Sequence, residues 1–85
     1  MPYEIQFRTS AAKEFRKLGT DVKARPRRTI NALTIELRPP GVKKLTGASS
    51  LYRVRTGNYR IIYEVDDNDQ LIVVTRVRHR RDIYQ

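Results

Sequence analysis

The sequence predicts an α+β fold with the element order β-α-α-β-β-β. In this fold a helical hairpin packs on one face of a small, mainly antiparallel four-stranded sheet, and the opposite face is basic. Two alternating runs flank Gly57-Asn58 and predict a β-hairpin, two helical stretches precede it, and further alternating runs lie near both ends of the chain. We expect residues 1–85 to form one domain.

The first strand and the first helix follow from residue spacing. Residues 3–8 alternate apolar with polar side chains, which is the period of a half-buried strand. Thr9 or Ser10 can cap the helix that follows, Phe15 lies on its apolar face, and Gly19 ends it.

A second helix is predicted from Thr20 or Asp21 to about Leu37, followed by a loop over residues 39–50. Pro26 either kinks this helix or marks its first turn, because proline has no amide to donate and clashes with the preceding turn. The predicted apolar stripe comprises Val22, Ile30, Leu33 and Leu37. The first half carries the cations Lys23, Arg25, Arg27 and Arg28. This basic run is either a solvated helix face or a contact surface for RNA.

The hairpin has a predicted register. Glycine at the first central position of a two-residue loop indicates a type II′ turn, which places Thr56 opposite Tyr59. One face then carries Tyr52, Val54, Tyr59, Ile61, Tyr63 and Val65 and is predicted to face the core. The other face carries Arg53, Arg55 and Arg60.

The last strand is predicted over residues 70–78, after a three-residue loop of residues 67–69. This loop would put Leu71, Val73, Thr75 and Val77 on the core face. It would put Ile72, Val74, Arg76 and Arg78 on the arginine face. A one-residue slip would bury the two arginines, which favours this register. Leu51, Ile62, Ile72 and Val74 would then lie on the arginine face, either as ordinary exposed residues or covered by a partner protein.

Composition restricts the function. Eighteen Lys and Arg against nine Asp and Glu give a net charge of +9, which favours a polyanionic partner such as nucleic acid or an acidic protein. The absence of cysteine excludes disulfides and a thiolate nucleophile. No pattern of metal ligands or cofactor-binding glycines appears, so we expect no metal and no cofactor. Without a signal pattern or a run of the ~18 apolar residues that span a bilayer, we expect a cytoplasmic protein with no membrane partner.

The facing arginines Arg55 and Arg60 indicate a function for the basic face. Like charges directly opposite each other destabilise a sheet, and a bound anion would explain the pair. Alternatively, the long side chains splay into water at little cost.

Four segments together resemble toxins of the RelE/ParE superfamily from bacterial toxin-antitoxin pairs, and are nearer to RelE. These segments are residues 13–18 (KEFRKL), residues 44–47 (KLTG), residues 52–63 with the string GNYRIIY, and residues 77–84 (VRHRRDIY). The resemblance covers essentially the whole chain. It implies a ribosome-dependent endoribonuclease that binds the 70S ribosome and cuts mRNA in the A site by attack of a ribose 2′-OH on the adjacent phosphate.

The resemblance also implies site residues. The catalytic candidates are Arg53, Arg55, Arg60, Arg80, Tyr84 and His79. Independently of the resemblance, the RNA-binding candidates are further basic residues, of which Arg76 and Arg78 lie on the predicted arginine face: Arg76, Arg78, Arg81, Lys43 and Lys44. The family can place lysines where this chain has Arg53 and Arg55, and arginine with its pKa above ~12 is a poor general base. His79 titrates in the useful range and competes for that role, although strand alternation points it to the core side, where it could simply be a packed edge residue.

Two other functions remain open. ParE-like members share the scaffold but bind DNA gyrase and are not nucleases, and a basic RNA-binding module without catalysis is the third possibility. By resemblance, the usual partner is an acidic cognate antitoxin that neutralises the basic surface, and operator DNA would be bound only through the antitoxin complex.

Overall fold

A computed structural model describes residues 3–45 and 51–79. The elements are β1 (Glu4–Phe7), α1 (Thr9–Arg16), α2 (Thr20–Ala32), β2 (Lys43–Lys44), β3 (Leu51–Thr56), β4 (Tyr59–Asp66) and β5 (Leu71–His79). The strands form one sheet in the order β1-β5-β4-β3-β2, with β1 parallel to β5 and the other pairs antiparallel. The predicted α+β class is confirmed.

The sheet has a fifth strand that the sequence did not predict. Lys43 and Lys44 pair with Arg53 and Tyr52 and add a two-residue edge strand, where a loop was expected. Two lysines after a Pro-Pro-Gly turn carry no alternation, so only the pairing with β3 identifies this segment as a strand.

The predicted register of the β3–β4 hairpin is confirmed from Leu51 opposite Glu64 to Thr56 opposite Tyr59. Gly57 has a φ of 61°, whereas Asn58 has no positive φ, as a type II′ turn requires. The local turn chemistry therefore determined which residues of both strands share a face.

The predicted register of β5 is wrong along the strand, and the predicted assignment of its residues to the two faces is wrong at its start and right at its end. The turn spans residues 67–70, so Val65 faces Ile72 and Tyr63 faces Val74, and both aliphatic side chains are fully buried. Leu71 and Val73 lie on the opposite face instead.

A β-bulge at Thr75 restores the predicted placement beyond it. Val74 pairs with Tyr63 and Arg76 with Ile62, which leaves Thr75 as an extra residue whose hydroxyl donates to the Ile62 carbonyl at 3.1 Å. Arg76 and Arg78 therefore remain off the core face. The sequence prediction assumed that β4 and β5 pair without a bulge, so that burying Ile72 and Val74 would also bury the two arginines. The bulge allows both aliphatic residues to be buried while the arginines stay on the open face.

The two helices cover one face of the sheet, with α1 on β5 and α2 over β3 and β4. The core comprises Ala11, Phe15, Ile30, Leu33, Tyr52, Val54, Ile61, Tyr63, Val65, Ile72, Val74 and Val77. We call the other side of the sheet, away from the two helices, the open face. With eight and thirteen residues, α1 and α2 both fall short of the length of a bilayer-spanning helix.

Helix α2 differs from its predicted form. It ends at Ala32 rather than at Leu37, because the Thr34 hydroxyl bonds the Asn31 carbonyl at 2.8 Å and two prolines follow shortly after. Pro26 lies inside the helix and is buried, so it does not mark the first turn, and Val22 is 42 % exposed rather than part of the stripe. The break at Gly19 is as predicted.

Candidate functional site

The open face concentrates its cations at the hairpin end of the sheet. Arg55 faces Arg60 across β3 and β4, and Arg60 faces Arg78 across β4 and β5, so three arginines form one transverse row. Directly opposed residues on neighbouring strands lie about 5 Å apart at Cβ. Three guanidinium groups on adjacent strands can contact the non-bridging oxygens of one phosphate.

A second row lies about 7 Å further along the strands, at two residues per repeat. It comprises Lys43, Arg53, Ile62 and Arg76. Lys44 faces Tyr52 and so lies on the helix-covered side of the edge strand. Of the two lysines predicted to bind RNA, the register brings only Lys43 to the open face.

The far end of the open face is not basic. Glu64 and Asp66 continue β4 on this face, and Glu4 of β1 faces Leu71. The half-buried apolar residues of the open face are Leu51, Leu71 and Val73 at this end and Ile62 in the second row, and they replace the predicted set that contained Ile72 and Val74. The face therefore has a charge gradient that favours an anion at the hairpin end.

Arg60 differs from its neighbours in exposure. It is 5 % exposed on β4, whereas Arg55 is exposed and Arg78 is half-buried. A guanidinium held among packed neighbours needs little reorganisation to meet a developing negative charge, and weaker solvent screening strengthens the attraction. Arg60 is the member of the row best fixed for stabilising a transition state.

Glu14 of α1 holds the β5 side of the row. Its carboxylate accepts hydrogen bonds from Arg76 Nη2 at 3.0 Å and from the Val77 backbone N–H at 2.8 Å, and it lies 3.6 Å from Arg78 Nε. The edge of β5 is available to it because β1 ends at Phe7, opposite Val74. Glu14 thus caps an open strand edge and restrains two predicted RNA-binding arginines.

Sequence reasoning missed Glu14. The KEFRKL string entered only as part of a family resemblance, and nothing in the spacing links a helical glutamate to residues more than sixty positions later. The available signal was weaker: Glu14 is one of only two acids, with Asp21, in a stretch dominated by cations.

His79 lies on the other side of the sheet from the arginine row. It faces Tyr59, whose ring meets the imidazole edge-on with centroids 5.1 Å apart. Strand alternation predicted this direction. The register places His79 and Arg60 on opposite faces of the sheet, and the role of His79 as the general base stays a prediction.

Three predicted site residues, Arg80, Arg81 and Tyr84, lie outside the described residues. Their placement in the site stays a prediction. Within residues 3–45 and 51–79, no group of three or more His, Cys, Asp or Glu side chains could hold a metal ion.

A separate polar cluster ties the loop after α2 to the sheet. The Tyr63 hydroxyl donates to the Leu37 carbonyl at 2.6 Å, and burial raises the pKa of Tyr63 to about 12. Arg38 donates from Nε to the Tyr52 hydroxyl at 2.9 Å and lies over the Tyr52 ring. These groups lie on the helix-covered side, so they support the scaffold and not the open face.

A family model for the ParE toxin of the type II toxin-antitoxin system parDE matches residues 5–84. The chain belongs to this toxin family. Toxin RelG of Mycobacterium tuberculosis is 32 % identical over 89 residues, covering 100 % of this chain and 99 % of that protein. The mRNA interferase toxin RelE of Escherichia coli K12 is 31 % identical over 90 residues, covering 99 % and 92 %. The predicted resemblance to the RelE/ParE superfamily is confirmed.

Solved structures of RelE toxins have the same fold. RelE in the archaeal RelE–RelB complex from Pyrococcus horikoshii aligns with a TM-score of 0.81 at 29 % identity, covering 94 % of this chain and 97 % of that one. The isolated E. coli RelE toxin aligns with a TM-score of 0.81 at 28 % identity, covering 91 % and 83 %. This member of the ParE toxin family therefore has the RelE architecture.

Proposed function

We propose that this toxin is a ribosome-dependent endoribonuclease that cuts mRNA in the A site of the 70S ribosome. The observation that carries the proposal is the row of Arg55, Arg60 and Arg78 on the open face, with Arg60 nearly buried at its centre. The relative from E. coli named an mRNA interferase supports the same reaction class.

The reaction places particular demands on this row. The 2′-oxygen of one ribose attacks the adjacent phosphorus, the bond from phosphorus to the 5′-oxygen breaks, and a 2′,3′-cyclic phosphate and a 5′-hydroxyl result. Negative charge builds on the equatorial phosphate oxygens, where fixed guanidinium groups stabilise it. Arg60 supplies the fixed charge, and Arg55 and Arg78 hold the phosphate from either side.

Few of the described residues on the open face could act as a general acid or base in this reaction. The hairpin end of the open face carries guanidinium groups, which hold their protons at neutral pH, and His79 lies on the other side of the sheet. Besides His79, the predicted candidates are Tyr84, Arg53 or Arg55 in a perturbed state, and the ribosome. A chain with weak acid-base groups would cut free RNA slowly, which fits reliance on the ribosome to align the substrate.

An acidic cognate antitoxin is the proposed partner in the cytoplasm. The open face combines two basic rows with the half-buried apolar residues Leu51, Ile62, Leu71 and Val73, a surface that an acidic, amphipathic segment would cover. Homologous toxins have been solved as RelE–RelB complexes, which supports such a partner. Any contact with operator DNA would then be made through the antitoxin complex.

Primer extension on mRNA after brief induction tests the proposal. Cuts at codon positions that require translation of the message are expected, and purified toxin should cut mRNA on programmed 70S ribosomes far faster than free RNA. The match to the ParE family model favours one alternative, inhibition of DNA gyrase without nuclease activity. Intact mRNA together with inhibited supercoiling by gyrase would establish that alternative and refute the nuclease.

A further inference from the structure

The helical hairpin carries a second concentration of positive charge, on the opposite side of the molecule from the open face. Residues 9–32 contain seven cations and two acids, Glu14 and Asp21. We call these seven the helical basic surface: Lys13, Arg16, Lys17, Lys23, Arg25, Arg27 and Arg28. This segment contributes a net charge of +5 (seven minus two) to the net +9 of the chain.

These cations face solvent and are not neutralised by the fold. All of them are exposed except Lys23, which is half-buried. Within residues 3–45 and 51–79, none of them forms an ion pair with a carboxylate. Of the two nearby acids, Glu14 is occupied by Arg76 and the Val77 amide. The helical basic surface therefore keeps its full charge.

Folding does not require this arrangement. Lys23 and Arg27 are four residues apart on α2, and like charges at this spacing destabilise a helix. Both lie over the face of Phe15, with Lys23 Nζ 5.5 Å and Arg27 Cζ 5.2 Å from the ring centroid. Each contact with the aromatic ring offsets part of the repulsion, and both cations stay close to the same buried ring.

The helical basic surface is continuous with the open face around the edge of β5. Beside the contact of Glu14 with this edge lies a cavity of about 330 Å³, which Lys17 lines together with Arg76 and Arg78. On the hairpin side, the Arg25 guanidinium lies beside Gly57, with Nη1 3.5 Å from the place that a Cβ would occupy. Positive charge thus extends from the proposed catalytic row to the helices at both sides of the hairpin end.

We propose that the helical basic surface binds the phosphate backbone of structured RNA in the ribosome while the open face holds the messenger. This inference rests on the proposed function. A messenger strand lying along the arginine row cannot also contact the far side of the helices, so a second RNA segment is needed there. Phe15, the aromatic ring within this surface, is 7 % exposed and lies under two cations, so it offers bases no platform to stack on. The neighbouring Phe7 ring is 37 % exposed and is an aromatic beside this surface that a base could reach. Contacts to the phosphate backbone give affinity without sequence preference.

The double variant Arg16→Gln/Arg28→Gln tests this surface. Both side chains are exposed, so the fold should be retained. Binding to 70S ribosomes should weaken about tenfold or more at low salt. The plot of log affinity against log salt should become shallower by between about 1 and 2, as expected for loss of up to two phosphate contacts. Cleavage at saturating ribosome concentration should stay within about twofold of the wild type.

The matched control is Arg8→Gln/Ile35→Glu, which lowers the net charge by the same two units at exposed positions outside the helical basic surface. It should bind ribosomes like the wild type. Equal weakening by both double variants would reduce the effect to net charge and overturn the proposal. Loss of antitoxin affinity with unchanged ribosome binding would assign the surface to the antitoxin, and it would overturn the proposal too.

The two proposals fail separately. A wild-type toxin that binds ribosomes but cuts no mRNA would refute the nuclease. In that case a weakened, less salt-dependent interaction of Arg16→Gln/Arg28→Gln with ribosomes would still support the helical contact.

Discussion

The arginines of the open face and those of the helical basic surface are chemically identical but differently held. Arg60 is 5 % exposed between Arg55 and Arg78, whereas Arg16 and Arg28 lie on the solvent side of their helices. A buried, oriented guanidinium acts on charge that appears at one point, as in a transition state. An exposed, flexible one contributes to attraction over a surface and is screened by salt. Under the proposed function, burial therefore assigns Arg60 to the cleavage rate, and exposure assigns Arg16 and Arg28 to affinity.

The largest expected effect concerns the two sides of the hairpin that carries the arginine row. Ile61→Asp should lower the free energy of unfolding by several kcal/mol, about 3 or more, because Ile61 is fully buried and an unpaired carboxylate would enter the core. Arg55 lies on the opposite face of the same hairpin and is exposed. Arg55→Ala should therefore change the unfolding free energy by less than about 0.5 kcal/mol. Urea denaturation of both variants measures this, and similar losses would show that the faces are misassigned.

Arg60→Ala comes next. The single-turnover cleavage rate on programmed ribosomes should fall about 10²-fold or more, the loss that follows removal of one transition-state contact. Ribosome affinity should change much less. Arg60→Lys should recover little of the rate, because an ammonium cannot contact two phosphate oxygens in the plane of a guanidinium.

A loss that appeared in affinity instead, and faded with added salt, would make Arg60 equivalent to the helical arginines. That result would remove the distinction between the two sets.

Glu14 should have a smaller effect, as a positioning residue for Arg76 and Arg78. Glu14→Gln keeps an acceptor for the Val77 amide but loses the charge that restrains the arginines, so we expect a cleavage rate about tenfold lower with unchanged ribosome affinity. The unfolding free energy should change by no more than about 1 kcal/mol, because the paired Arg76 side chain is 41 % exposed.

Glu14→Ala is the stricter variant, since it also leaves the Val77 amide without a side-chain partner. It should cost about 1–3 kcal/mol of stability. A Glu14→Gln variant that cleaves at the wild-type rate would leave Glu14 with a purely structural role.

The smallest effect is expected at His79. His79→Gln should leave the pH dependence of the cleavage rate unchanged, because the imidazole lies against Tyr59 on the side away from the row. The measurement is the single-turnover rate between about pH 5.5 and 8.5, the range around the usual pKa of histidine. Disappearance of an acidic limb in the variant would establish His79 as the base and require β5 to rearrange on the ribosome.

Local chemistry was sufficient for the hairpin, the helix break and the side of the hairpin arginines. Gly57 determines the turn, the turn determines the register, and the register determines which side chains share a face. Gly19 separates the helices for an equally local reason. The resemblance of four sequence segments was enough to indicate the toxin family, because it depends on the order of residues and not on packing.

Tertiary structure decided the rest, where residues distant in sequence compete for the same place. The bulge at Thr75 exists because Ile72 and Val74 gain by burial under the helices while Arg76 and Arg78 gain by staying out, and only the packed sheet satisfies both. Likewise, the contact of Glu14 with Val77 requires α1 to lie beside the end of β1. The burial that distinguishes Arg60 from every exposed arginine in the chain is a property of its neighbours in space, and no pattern in the sequence encodes it.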